Sequence, residues 1–247
     1  MAGRGGGLAA VKPGASIEEL KALAGRRGAG LVRDGMVVGL GTGSTARHAI
    51  LALGERVREG LRIVGVPTSL ESERLARECG IPLTTLDEHP EIDVTIDGAD
   101  EVDPRLNLVK GLGGALLREK LVALATRREV IVVDGSKLVE RLGTRAPVPV
   151  EVVRFGHTLT ARRLAALGCA PALRMAGGGS AAGGPYVTDN GNLIYDCRFA
   201  GIPDPARLER ELRAVPGVVE SGIFVGLAHL VIVASAEGVR EIRRPEE

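Results

Sequence analysis

Ile92-Asp93-Val94-Thr95-Ile96-Asp97-Gly98-Ala99-Asp100-Glu101 is the stretch on which the architecture turns. Ile92, Val94 and Ile96 alternate with polar residues, the period of a β-strand. Asp97-Gly98 is a turn signal that ends it. Three carboxylates, Asp97, Asp100 and Glu101, therefore sit just past the strand's carboxyl end. In an open parallel sheet that is where ligands bind.

Lys110-Gly111-Leu112-Gly113-Gly114-Ala115 follows and runs into a helix through Arg118-Glu119-Lys120. The helical neighbours of Glu119, one turn away, are Ala115, Leu116, Val122 and Ala123. A carboxylate ringed by apolar groups loses hydration, its pKa rises, and it becomes a usable base near neutral pH. Asp-Gly is often only a turn, and Arg118-Glu119-Lys120 also reads as a solvated helix face. Three acids, a lysine, a glycine loop and a further acid in one short segment argue instead for a site.

Upstream, Met36 to Leu40 reads as a short buried strand, and Gly41-Thr42-Gly43-Ser44-Thr45-Ala46 turns it into a helix. Glycines let a backbone approach an anion, and a helix start offers free N–H groups. Taken alone, the motif suits a phosphate cradle and a plain strand-to-helix turn equally well. It also fits the G-x-G-x-x-A pattern of a dinucleotide site, which calls for an acid at the tip of the next strand. That strand, Leu61 to Val66, ends in Pro67-Thr68-Ser69, and Glu71 reads as the end of a Thr68-x-x-Glu71 capping box. A P-loop is excluded because no Lys precedes Ser44-Thr45. Downstream, Val130-Ile131-Val132-Val133-Asp134 is a continuous apolar strand, as in a sheet buried on both faces. Lys137, just past its end, is expected to reach the same crevice as Asp97 and Gly41.

These motifs, in this order, resemble type A ribose-5-phosphate isomerase: Asp97-Gly98-Ala99-Asp100-Glu101, Lys110 to Ala115, Arg118-Glu119-Lys120, Gly41 to Thr45, and Asp134-Gly135-Ser136-Lys137. The resemblance runs from about Ser16 to about Ile242. It implies an α/β fold, a Rossmann-like, mostly parallel sheet domain with a second, smaller α+β domain. It implies interconversion of D-ribose 5-phosphate and D-ribulose 5-phosphate through an enediolate, with no metal and no cofactor. Glu119 would shuttle the proton between C2 and C1, while Asp97 and Asp100 handle hydroxyl protons, ring opening included. Lys110 and the amides of Gly111, Leu112 and Gly113 would stabilise the developing oxyanion. Thr42, Gly43, Ser44, Thr45 and Lys137 would hold the phosphate, with Gly98 and Ala99 lining the sugar. A phosphate-contacting lysine of the family matches Lys21 only loosely. The family implies a homodimer or homotetramer.

The 247 residues are 45% hydrophobic but only 2% aromatic, so the core must be aliphatic. Net charge is +1, from 32 basic and 31 acidic residues, which argues against nucleic acid as partner. Cys79, Cys169 and Cys197 are scattered, with neither disulfide nor zinc spacing, and a reducing cytoplasm fits them. No apolar run reaches the ~20 residues that span a bilayer, and no signal-peptide core follows Arg4.

Residues 1–15, rich in Gly and Ala, read as a mobile tail. A Ser16/Glu19 capping box opens a helix reaching about Arg33. A helix from Leu70 to Cys79 and an edge-like strand from Pro82 to Leu86 follow. Pro147-Val148-Pro149 marks a composition break. We expect a catalytic domain over 16–144 plus 228–247 and an α+β domain over 145–227. In the latter, strands at 150–153, 172–175, 193–199 and 218–225 with helices at 159–167 and 205–213 make a ferredoxin-like pattern. A Gly/Ala-rich loop lies at 176–185. The strand from Leu230 to Ala234 should return to the first domain.

Coenzyme A transferases, aminosugar-phosphate deaminases and non-catalytic sugar-phosphate sensors are rival readings of related architecture. A coenzyme A transferase would need a second large lobe, for which the chain is short. A non-catalytic sugar-phosphate sensor would not need the full set of acids and would be preceded by a helix-turn-helix, of which nothing shows before residue 16.

Overall fold

The computed structural model describes residues 14–179 and 183–244. The expected tail therefore lies, up to residue 13, outside the described residues, as do 180–182 of the Gly/Ala-rich loop. The chain runs α1 (Ile17–Ala29), β1 (Val37–Leu40), α2 (Ser44–Arg58), β2 (Val64–Pro67), α3 (Leu70–Glu78), β3 (Val94–Asp97), β4 (Glu101–Val102), β5 (Leu108–Val109) and α4 (Leu116–Leu124). It continues with β6 (Glu129–Asp134), β7 (Val148–Val152), α5 (His157–Ala165), β8 (Ala170–Leu173), β9 (Leu193–Arg198), α6 (Pro205–Arg213), β10 (Val218–Ser221), β11 (Ile223–Phe224), β12 (Leu230–Ser235) and β13 (Gly238–Arg243).

The central sheet has six strands in the order β13-β12-β6-β3-β1-β2. All neighbours are parallel except β12 and β13. β6 is buried along its whole length, as its unbroken β-branched run requires. Val130 and Val132 pack in one aliphatic cluster with Ala24, Ala49 and Leu53. Ile131 and Val133 pack in another with Leu108, Ala123 and Phe224. The strand at Leu230 does return to this sheet, beside β6.

A second, antiparallel sheet has the order β10-β7-β9-β8, the ferredoxin-like arrangement of a β-α-β-β-α-β unit. It has its own core, including Val148, Val150, Val152, Leu164 and Leu212. The strand expected over 218–225 breaks at Gly222. There the chain leaves β10 for β11, which pairs with β5 in a small third sheet with β4. Gly222 accepts the Lys110 N–H at 2.8 Å and donates to Pro149 O at 2.7 Å, stitching the sheets together beside the site.

Other departures are local. α1 stops at Ala29, before Arg33. The N-cap of α3 is Ser69, boxed with Ser72 rather than Thr68 with Glu71, because Thr68 Oγ1 bonds Leu40 O instead. The strand expected over Pro82–Leu86 shrinks to one bridge at Leu83, since Thr85 starts a turn that takes the N–H groups of Glu88 and His89. β13 was not expected; it is an edge strand with charged Arg240, Glu241 and Arg243. Among the described residues no helix is long and apolar enough to cross a membrane.

Candidate active site

β1, β3 and β6 run in parallel register, Leu40 beside Ile96 and Asp97 beside Ile131. Their carboxyl ends, and the turns that follow, therefore open on one edge. Asp97 ends β3 and is fully buried. Its Oδ1 accepts the N–H of Thr42 at 3.0 Å and of Gly98 at 2.7 Å. A Cβ on Gly41 would lie 2.3 Å from that same Oδ1, so only glycine lets the two strand ends approach.

Lys110 leaves β5 with its side chain buried to 2% exposure. Its ammonium lies 3.0 Å from Asp97 Oδ2, an ionic contact without hydrogen-bond alignment, and donates to Glu119 Oε1 at 3.2 Å. Burial alone would push the Lys110 pKa down; Asp97 and Glu119 reverse this and hold it charged and above its ordinary value.

Glu119 stands in the first turn of α4, buried. Burial raises its carboxyl to about 8, against the pull of Lys110 and with the repulsion of Asp97 and Asp100. Its Oε2 is buried and has no hydrogen-bond partner among the described residues. Such an orphan acceptor is uncommon and calls for a reason.

Asp100 Oδ2 accepts the Leu112 N–H at 3.0 Å, and burial raises its carboxyl too. On the opposite flank α2 starts at Ser44 behind Gly43, which has φ 99° and no side-chain cap. The helix thus begins with uncapped N–H groups, a ready anion site. Lys137 ends the tight turn after β6, a turn fixed by the Ser136 N–H on Asp134 Oδ1 at 2.9 Å.

These elements line a cleft of about 80 Å³. Thr42, Gly43, Ser44, Thr45, Gly98, Ala99, Asp100, Lys110, Gly111, Gly113, Glu119 and Lys137 line it. Of the residues given catalytic or binding roles from sequence, Asp97 and Leu112 do not, and neither do Glu101 and Lys21. Asp97 lies behind Lys110, and the Leu112 amide is taken by Asp100. Thr42 lends no free hydroxyl, because its Oγ1 donates to Ser69 Oγ and contacts Thr68 Oγ1. Glu101 turns away and caps the N–H groups of Gly143, Arg145 and Ala146. Lys21 pairs with Glu18 at 3.7 Å and is absent from the cleft wall. Sequence reasoning missed Arg174, which grips the glycine loop from the second sheet; no local pattern marks it.

Residues 64–238 match the family model for ribose 5-phosphate isomerase A (phosphoriboisomerase A). The chain belongs to the ribose 5-phosphate isomerase A family. The ribose-5-phosphate isomerase A of Roseiflexus castenholzii (strain DSM 13941 / HLO8) is 54% identical over 217 residues, 87% of this chain and 91% of that protein. The solved ribose 5-phosphate isomerase A of Methanocaldococcus jannaschii is 43% identical, with a TM-score of 0.87 over 92% of this chain and 100% of that one. A D-ribose-5-phosphate isomerase solved in complex with phospho-erythronic acid is 44% identical, with a TM-score of 0.89 over 93% of this chain and 100% of that one. The segment matching the ribose 5-phosphate isomerase A model spans Asp97, Lys110, Glu119 and Lys137; the Gly41–Thr45 turn lies just upstream of it.

Proposed function

We infer that this chain interconverts D-ribose 5-phosphate and D-ribulose 5-phosphate, the aldose–ketose step of the non-oxidative pentose phosphate pathway (EC 5.3.1.6). For the division of labour among residues, one observation carries most weight. Glu119 Oε2 is buried and unpartnered on the wall of a cleft that also holds an uncapped helix start.

In this reading Ser44, Thr45, the α2 amides and Lys137 bind the phosphate. That fixed anchor helps hold the reacting carbons against Glu119. Glu119 takes the proton from C2 of the open aldose, and the C1 carbonyl electrons move onto oxygen. Lys110 and the Gly113 amide stabilise the resulting enediolate. Glu119 returns the proton to C1, while the C2 hydroxyl proton passes to O1 through Asp100 and the C2 carbonyl forms. Asp100, whose carboxyl burial pushes upward, also serves ring opening. Asp97 acts through Lys110, holding it charged, rather than on the sugar.

We further assign residues 16–144 plus 228–247 to the catalytic domain and 145–227 to the α+β domain. The distinct six-stranded and four-stranded sheets support that division, while Val109, Val139 and Leu142 pack across it into the second sheet's cluster. A homodimer or homotetramer in the cytoplasm is the expected state, readable by sedimentation.

Incubation with D-ribose 5-phosphate in deuterium oxide, without metal or coenzyme, tests the reading. Ketose formation is expected, with deuterium at C1 only to the extent that the Glu119 carboxyl exchanges its proton with solvent before returning it. Tight binding without turnover would make the protein a sensor instead.

A further inference from the structure

We propose that Arg174, on the second sheet, is a positioning residue for the isomerisation: it locks the Gly111–Gly113 backbone so that its amides face the acids and the cleft. This rests on the site reading above and deepens it.

Arg174 follows β8. Its Nη1 donates to Gly111 O at 3.0 Å and to Leu112 O at 3.1 Å. A trans peptide is planar, with C=O and N–H pointing in opposite directions. A donor that draws two successive carbonyls to one side therefore turns the next two N–H groups to the other. These belong to Leu112 and Gly113. The first is on Asp100 Oδ2 at 3.0 Å. The second belongs to a residue on the cleft wall and has no hydrogen-bond partner among the described residues. One guanidinium thus sets both the orientation of Asp100 and a free donor for an oxyanion.

Arg174 is itself held on three sides. Its Nε donates to Asp196 Oδ2 at 2.9 Å, and Nη2 pairs with Asp196 Oδ1, a two-pronged grip from β9. Tyr186 places its ring 5.8 Å from the guanidinium carbon and donates its N–H to Arg174 O at 2.8 Å. The Tyr186 hydroxyl in turn abuts Gly114, which has φ +84° and where a Cβ would lie 2.1 Å from that oxygen. A lysine could not serve both carboxylate oxygens and both carbonyls at once, since it is a point charge without the planar fork. The positive charge also lowers the Asp100 carboxyl against its burial.

The test compares Arg174→Lys and Asp196→Asn with wild type. Loss of an oriented amide should lower kcat by ~10²-fold, while KM for ribose 5-phosphate moves less than ~3-fold. Affinity for phospho-erythronic acid, whose carboxylate presents charge where the enediolate would, should fall in step with kcat/KM. Affinity for inorganic phosphate should hold. Folded variants with wild-type kcat and analogue affinity overturn the proposal. So does equal weakening of phosphate and analogue, which would mean a merely structural brace. Asp196→Asn keeps the shape of the pair and reads the same geometry if Arg174→Lys does not fold. Retained turnover in Glu119→Gln would sink the site reading itself; unaltered Arg174 variants beside an inactive Glu119→Gln would sink only this inference.

Discussion

Glu119 Oε1 lies 3.2 Å from the Lys110 ammonium, inside a protein that leaves both side chains nearly dry. The two sit on separate elements, α4 and the segment after β5, and share the cation with Asp97. The pairing holds one oxygen of Glu119 in place and leaves the other free for chemistry. Glu119→Gln keeps the shape and removes the base. It should cost at least ~10²-fold in kcat, with KM changed only modestly. Steady-state kinetics on the folded variant decide this; near-normal turnover removes Glu119 from its role.

The same burial makes a prediction about pH. The folded Glu119 carboxyl sits at about 8, against an ordinary 4.5. Across that interval the native protein keeps a proton that the unfolded chain has released. The stability this contributes is complete below the unfolded value and is lost as pH rises through the folded one. Wild-type Tm should therefore fall relative to Glu119→Gln between pH 5 and pH 9. Because C2 deprotonation needs the carboxylate, kcat/KM should climb over the same window. A Tm difference that does not change with pH would refute the assignment.

Lys137 reaches the cleft beside Ser44 and Thr45. If Lys137 holds the phosphate as proposed, Lys137→Ala deletes a charged donor, a contact worth about 1.5–3 kcal/mol. KM for ribose 5-phosphate should rise by ~10-fold or more, with kcat less affected. Unphosphorylated ribose should bind wild type and variant alike. An unchanged KM would place the phosphate elsewhere.

Most of the cleft was legible because its residues cluster at the carboxyl ends of three strands, each announced by a local pattern. Gly41–Thr45, Asp97–Asp100 and Gly135–Lys137 are turns whose composition states their geometry. What could not be read was the direction of a side chain once past its strand. Glu101 sits one residue from Asp100, yet it enters β4 and caps a distant loop. Asp97 sits under the cleft rather than on it, because its Oδ1 accepts the amides of Thr42, just after β1, and of Gly98, next to it in the chain. Arg174 was invisible because its partners Gly111 and Leu112 are 63 and 62 residues away. β13 was hidden by charge, and the corner at Gly222 by the strand-forming residues on both sides of it, Val218-Val219 and Ile223-Phe224-Val225.

Lys120 shows how far two neighbours can diverge. It follows Glu119 directly, but its ammonium points into the body of the protein. There it meets Glu209 Oε1 at 2.8 Å, Glu220 Oε1 at 2.9 Å and Ile223 O at 2.8 Å. It also stands 4.8 Å over the Phe224 ring, on which Lys110 lies at 5.5 Å. Only 3% of the Lys120 side chain and 8% of that of Glu220 are exposed. Lys120→Met keeps the stem and deletes the charge, leaving buried Glu220 with only the more distant cation of Arg213, 3.8 Å from its Oε2. Breaking such a pair on one side costs about 3–5 kcal/mol. Replacing both partners with apolar groups is often near neutral, so adding Glu220→Leu should recover much of the loss. Urea denaturation of the two variants reads both steps. Turnover of folded Lys120→Met should stay within a few-fold of wild type, because Lys120 does not line the cleft. A loss of stability under ~1 kcal/mol in the single variant would mean the network contributes little, as exposed ion pairs do.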